Sequence, residues 1–337
     1  MSAADKIAGR NAIIIRAPGS VYQSPRGLKA LALAVLTIQN TSLVLITKYS
    51  YRPTTTPYLV STVIVCAEII KFILSYVLLI TADGQSAARE AVREVPSIAV
   101  RLVLPSVLYV LQNNLLFIGI RLLTPMLYMV CTQSKIVTSA LWSVVLLGTQ
   151  ITRKQYAALS LLIFGMIMVQ GGEELYGKAS ANAQISRASD TLYGTIVVVV
   201  AAFTSGFAGA YLERIYKETG SQKRSIWFQN TQLACVSFPV AVIAVCWQDG
   251  ERLRKHSIFR GYDGIVLVMI LLQAVGGLIV AMVLRYASNI LKCFAVCISI
   301  CNCAIATTCL SGEIMSTFTI FGILLVIGST LLYSNVI

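Results

Sequence analysis

The sequence predicts an all-α integral membrane protein whose ten transmembrane helices form two inverted five-helix repeats. Three observations lead there. The chain is 57% hydrophobic and only 12% charged, with a mean hydropathy of +0.77, whereas a soluble globule of this size would carry charge on about a quarter of its residues. Ten apolar runs, each near the ~20 residues that cross ~30 Å of hydrocarbon, follow one another with only short polar links between them. Overlaying the third and fourth runs on the eighth and ninth puts Arg121 on Arg285, Gly148 on Gly312 and Gln112-Asn113 on Gly276-Gly277. A repeat with an odd number of spans inverts its second copy and places the ligand where the halves meet.

The runs cover about 28–47, 58–81, 98–120, 123–147, 155–171, 191–212, 226–247, 264–284, 288–310 and 314–334. Residues 1–27 form a basic segment with Lys6, Arg10, Arg16 and Arg26. This segment leads straight into a full-length span, unlike the short apolar stretch and cleavage site of a signal peptide. The first repeat is then 28–171, a polar linker fills 172–190, and the second repeat is 191–337. The connections on the N-terminal side carry the larger share of the 27 Lys and Arg, which puts both termini in the cytosol.

The net charge of +13 does not indicate nucleic acid. Most basic residues lie singly or in pairs between apolar runs, where they orient helices and meet anionic lipid headgroups. All nine cysteines fall within the apolar runs, so no disulfide framework is expected in the connections. Cys293, Cys297 and Cys301 share one helical face, yet no His or carboxylate is near in sequence to complete a metal shell. Small polarizable side chains packing helices closely explain them better than a metal, and no cofactor is expected. The sequon Asn40-Thr41-Ser42 lies inside the first span, beyond the reach of glycosylation.

Charges inside spans carry the functional signal, because a lone charge at the bilayer centre costs roughly 2.5–3.5 kcal/mol on insertion scales. Glu68 and Lys71, three apart, share a face of the second span and can neutralise one another. Lys135 in the fourth span and Lys292 at the start of the ninth have no carboxylate on their own helix. These two lysines come from equivalent helices of the two halves, and together they suit a pyrophosphate. Polar and aromatic side chains accompany them. The amides of Gln112, Asn113 and Asn114 can read a nucleobase edge, Tyr109 and Tyr128 offer faces for stacking, and Asn230 lies in the seventh span.

Several strings then resemble a known family. They are Leu111-Gln-Asn-Asn-Leu-Leu116, Tyr128 to Lys135, Ser205-Gly-Phe-Ala-Gly-Ala-Tyr211 with Glu213, Ser225-Ile-Trp-Phe-Gln-Asn230-Thr-Gln232, and Gly276-Gly277 leading to Arg285-Tyr-Ala-Ser-Asn-Ile-Leu-Lys292. The chain from about residue 28 onward resembles the Golgi nucleotide-sugar transporters of the UDP-galactose, UDP-N-acetylglucosamine and CMP-sialic acid group. This resemblance implies the drug/metabolite-transporter fold, a Golgi membrane (or that of the endoplasmic reticulum), and exchange of cytosolic nucleotide sugar for a lumenal nucleoside monophosphate. It also implies a phosphate-contacting lysine at Lys135, a nucleotide-stacking tyrosine at Tyr128, and ligand roles for Asn230, Lys292, Glu68 and Lys71. The sequence admits a homo-oligomer.

Three positions depart from the family pattern. Cys293 follows Lys292 where glycine is usual, Ser288 stands for an acidic residue, and Ala234 replaces a tyrosine of the CMP-sialic acid members. The last of these, with Gln273-Ala274-Val-Gly-Gly277, favours a UDP-sugar over CMP-sialic acid. A sugar-phosphate or drug exporter of the same fold is the nearest rival. An integral-membrane transferase is disfavoured: the one histidine, His256, lies in a connection, and no acidic pair stands on an apolar helix.

Overall fold

A computed structural model of the chain describes residues 26–50, 58–123, 128, 131–176, 188–221, 224–255, 258–311 and 315–334; some side chains within these ranges, Asn113 among them, are not described. Among the described residues there are ten helices. In chain order they are α1 Arg26–Ser50, α2 Val60–Arg93, α3 Val95–Leu122, α4 Ser134–Leu147, α5 Arg153–Tyr176, α6 Ala188–Ser221, α7 Ile226–Lys255, α8 Gly264–Tyr286, α9 Asn289–Ser311 and α10 Thr317–Ser334. Seven are long and apolar enough to cross a membrane, and α4 and α10 are shorter apolar helices. Each falls on one of the ten apolar runs.

The helix ends follow from local chemistry. Asp263 accepts the Val266 N–H at 2.8 Å to cap α8, Ser288 accepts the Leu291 N–H at 3.2 Å to cap α9, and Thr152 and Gln155 exchange backbone and side-chain hydrogen bonds ahead of α5. Gly148 closes α4 in the left-handed conformation at φ +66°. The second helix runs further than the apolar run foretold, to Arg93 rather than 81, because hydropathy marks only the part that lipid covers. It bends at Gly84, where φ is +87°, and its extension tucks Ala88 and Ala91 against Phe228. The fifth helix also extends beyond its apolar run, to Tyr176.

The surface is apolar, and a largely apolar interior also encloses a set of polar side chains. Ile38, Ile243 and Trp247 are 66%, 68% and 89% exposed, while Gln39, Glu213, Gln229, Asn230, Gln232 and Asn289 are buried. A belt of exposed apolar side chains on this scale is stable only in lipid.

Helix packing runs largely between the halves. The extensive contacts are α5 with α10, α2 with α7, α3 and α4 with α6, and α8 and α9 with α1; smaller ones join α2 to α8 and α3 to α7. Moving each partner on by five helices reproduces all of these pairs. The α3 and α8 ends match as well: Leu123 donates to Gly119 O and Ala287 to Val283 O, equivalent positions in the overlay. At one end of the bundle Arg224 donates to both oxygens of Glu94, at 2.6 and 2.9 Å, and to Glu90 at 3.3 Å, while Arg285 donates to the Arg224 carbonyl at 2.7 Å. These contacts gather the α2–α3 junction, the α6–α7 connection and the α8–α9 corner. The hydrogen bonds to Glu94 hold the Arg224 guanidinium above its ordinary pKa. At the other end Ser61 donates to Asp249 at 2.6 Å and Thr62 meets Tyr262 at 2.9 Å, joining the start of α2 to the end of α7 and the start of α8.

The α5–α10 crossing depends on two facing glycines. A Cβ on Gly322 would lie 2.6 Å from Val169 N and 2.7 Å from Gly165 O, so no side chain fits there without moving a backbone. Gly322→Ala is expected to destabilise the protein by about 1–3 kcal/mol, read as a lower melting temperature in detergent. Gly328→Ala, on the same helix with no atom within 4 Å, should leave the melting temperature unchanged or raise it. Equal melting of the two variants would show that the crossing is loose.

Candidate functional site

Lys135 stands in the first turn of α4, where that helix is wedged between α6 and α9. Two contacts seat it. Thr138 Oγ1 donates to the Ala202 carbonyl at 2.8 Å, and a Cβ on Gly206 would lie within 2.7–2.8 Å of Thr138 C and Ser139 N, so α4 rides directly on the α6 backbone. One turn beyond Lys135, Ser139 Oγ accepts the Cys293 thiol at 3.6 Å. Cys297, a turn further along α9, lies within electrostatic range of the Lys135 ammonium. The cysteine face of α9 therefore packs into the core with Ile136, Ala140, Leu162 and Met166.

Lys292 enters from the opposite half, in the first turn of α9. Among the described residues neither Lys135 nor Lys292 forms an ion pair, and both are half-buried. Two ammonium groups on packed helices, with no carboxylate paired to either among the described residues, are an arrangement that favours an anion.

The second-helix pair is arranged differently. Lys71 Nζ is 2.5 Å from Glu68 Oε2, and the same carboxylate oxygen accepts the Ser237 hydroxyl of α7. Gly277 of α8 leaves room for the Lys71 stem, since a Cβ there would come within 2.9 Å of Lys71 Cδ. Glu68 thus has two protein partners, and α2, α7 and α8 meet around it.

The polar and aromatic candidates divide into two groups. Tyr216 of α6 donates to Asn230 Oδ1 at 3.1 Å, and its hydroxyl is within electrostatic range of Tyr109 and Glu68, so α2, α3, α6 and α7 bring these residues together. Asn230 Nδ2 and Gln112 Oε1 are buried with no hydrogen-bond partner among the described residues, which leaves a donor and an acceptor for a ligand. Tyr128 is half-buried with the edge of its ring against Gly119 of α3. The side chain of Asn113 lies outside the described residues.

Sequence reasoning overlooked Ser237 and Tyr216, because their partners are distant in the chain and a serine or tyrosine in an apolar run is common. Glu213 stands in one of the family strings with no role implied by it. Glu213 is buried and bonds to Lys217 four residues on, a spacing that could have marked the pair.

Residues 24–334 match the model of the nucleotide-sugar transporter family. The chain belongs to that family. Its relatives are transporters and translocators, not enzymes. The transporter is 38% identical to the UDP-N-acetylglucosamine/UDP-N-acetylgalactosamine transporter nstp-4 of Caenorhabditis elegans, over 91% of this chain and 94% of that one. It is 36% identical to the UDP-N-acetylglucosamine transporter of Rattus norvegicus (91% and 95%) and 35% identical to the UDP-galactose translocator of Mus musculus (94% and 81%). One solved crystal structure, 12% identical, superposes with a TM-score of 0.66 over 93% of this chain and 99% of the other, a likeness of fold.

If the Glu68–Lys71 pair is a structural brace, Lys71→Met should leave Glu68 as an uncompensated buried charge. The expected loss is about 3–5 kcal/mol of stability in a detergent melt, recovered in large part by Glu68→Gln added to Lys71→Met. A Lys71→Met protein that melts like the parent but loses nucleotide binding would instead assign the pair to the ligand.

Proposed function

We propose that this transporter exchanges a cytosolic UDP-sugar, UDP-N-acetylglucosamine or UDP-galactose, for lumenal UMP by alternating access in the Golgi membrane. The observation that carries the reading is the pair Lys135 and Lys292, ammonium groups on packed helices of opposite halves with no ion-pair partner among the described residues. The printed names of the relatives support a UDP-sugar, and Ala234 agrees, because the CMP-sialic acid members carry tyrosine there.

In this reading the chain crosses the membrane ten times, as inverted repeats at 28–171 and 191–337 joined by the linker 172–190, with both termini in the cytosol. Packing that is reproduced by moving each partner five helices on supports the repeats. Polar contacts that gather alternate connections at opposite ends of the bundle support the crossings. Lys135 and Lys292 hold the diphosphate, Tyr128 stacks on uracil, and Asn230, Gln112, Asn113 and Tyr109 line the remainder of the cavity, with Glu68 and Lys71 at its wall.

Charge supplies the exchange rule. UDP-sugar and UMP each bring about two negative charges at neutral pH, so a one-for-one exchange is nearly electroneutral and needs no ion gradient. An empty cavity leaves two unpaired ammonium groups in the membrane, which slows return of the unloaded carrier.

Proteoliposomes test this directly. Vesicles preloaded with UMP should take up labelled UDP-sugar many times faster than vesicles holding buffer, and collapsing proton and sodium gradients should change little. Lys135→Ala and Lys292→Ala should each lower the rate at least ~10-fold, since each removes a charge-assisted contact of about 1.5–3 kcal/mol. UMP should compete far better than AMP or GMP if Tyr128 frames a pyrimidine pocket. Uptake indifferent to internal UMP but abolished by a proton ionophore would overturn the exchange mechanism and recast Glu68 as a proton-coupling site.

A further inference from the structure

Glu213 is a carboxylate only 1% exposed within a membrane-embedded bundle. Both its oxygens are occupied. Oε2 accepts the backbone N–H of Asn289 at 2.7 Å, and Oε1 accepts Lys217 Nζ at 2.5 Å, one turn on along α6. The Asn289 N–H is the first of the amides that α9 cannot satisfy within itself. Ser288 takes another of them, that of Leu291. The start of α9 is thus tied to its own cap and to a charged group on a different helix.

Packing reinforces the tie. Gly209 lies one turn before Glu213, and a Cβ there would fall 2.4 Å from Asn289 Oδ1, so the start of α9 lies directly on the bare α6 backbone. Phe294 packs on Tyr333 of α10 with ring centroids 4.8 Å apart, and the Tyr333 hydroxyl is within electrostatic range of Glu213. The one cation in this first turn of α9 is Lys292. A carboxylate bound to that turn is the natural counter-ion for it, yet Lys217 takes the charge.

We propose that Glu213 and Lys217 are a positioning pair: the carboxylate seats the first turn of α9 on α6, and the Lys217 ammonium neutralises it so that Lys292 stays free for the phosphates of the ligand. The inference rests on the reading that Lys292 binds ligand. Both charges have a purpose in it. Glu213 fixes where Lys292 starts, and Lys217 keeps Glu213 from competing with phosphate for the same ammonium.

UMP binding to the purified full-length transporter in detergent, measured by calorimetry, tests the pair. Lys217→Met should weaken UMP about tenfold, because the freed carboxylate pairs with Lys292, and Glu213→Gln added to it should restore the Kd to within about threefold of the parent. A purely structural role predicts no such rescue. A parental Kd in K217M, or a double variant as weak as K217M, overturns the proposal. E213Q alone keeps an oxygen for the Asn289 N–H and should bind UMP at least as well as the parent; binding about tenfold weaker overturns the proposal even if K217M fails to fold. Lys292→Ala separates the two readings. A parental Kd there removes the ligand role of Lys292 itself, whereas weakened binding there with a parental Kd in K217M removes only the role of Lys217.

Discussion

Hydrocarbon supplies no counter-ions, so each charge a helix carries into it must find one in the protein or leave the need open. In this transporter the interior acids are matched. Glu68 holds Lys71 and the Ser237 hydroxyl, and Glu213 holds Lys217 and a backbone amide. Among the described residues, Lys135 and Lys292 are lysines within the apolar runs that lack a carboxylate partner, one from each half, while Arg285 at the end of α8 donates to the Arg224 carbonyl. That imbalance of charge marks the candidate site.

The packing has a corresponding logic. Because α3 and α4 lie on α6 while α8 and α9 lie on α1, neither half forms a compact body by itself, and the helices that carry Lys135 and Lys292 are each packed on a helix of the other half. Glycines set the distances. Gly206 brings α4 onto α6, Gly209 brings α9 onto α6, Gly277 makes room for the Lys71 stem, and Gly165 with Gly322 closes α5 on α10. Without a hydrophobic force between helices in lipid, such close approach is what dispersion and hydrogen bonding need to hold a bundle. Contacts at the two ends, Arg224 with Glu94 and Ser61 with Asp249, join the halves at both faces.

Much of the site was legible because the bilayer makes charge conspicuous. Lys71, Lys135 and Lys292 stand out in apolar runs without any structural information, and the Glu68–Lys71 spacing already indicates an ion pair. Hydroxyls and amides give no comparable signal. Ser237 caps the charge of Glu68 across 169 positions, and Tyr216 turns Asn230 so that its Nδ2 is left unpartnered. Neither relation leaves a trace in local composition. Helix lengths were misjudged for a related reason: hydropathy reports lipid contact, so the polar last turns of α2 and α5 were read as connections.

The sequence alone determined the class, the ten helices and the oddity of the unpaired lysines, since length, hydropathy and intramembrane charge are properties of each segment taken singly. The family strings added the kind of cargo to expect. Only the tertiary structure decided which charges cancel, because a pair such as Glu213 and Asn289 exists only where α6 and α9 cross. It also decided that Tyr109, Tyr216, Asn230 and Glu68 form one group and that Tyr128 lies against Gly119 of α3. Those outcomes depend on backbone approach at single glycines, and a one-dimensional pattern of polar and apolar residues does not encode it.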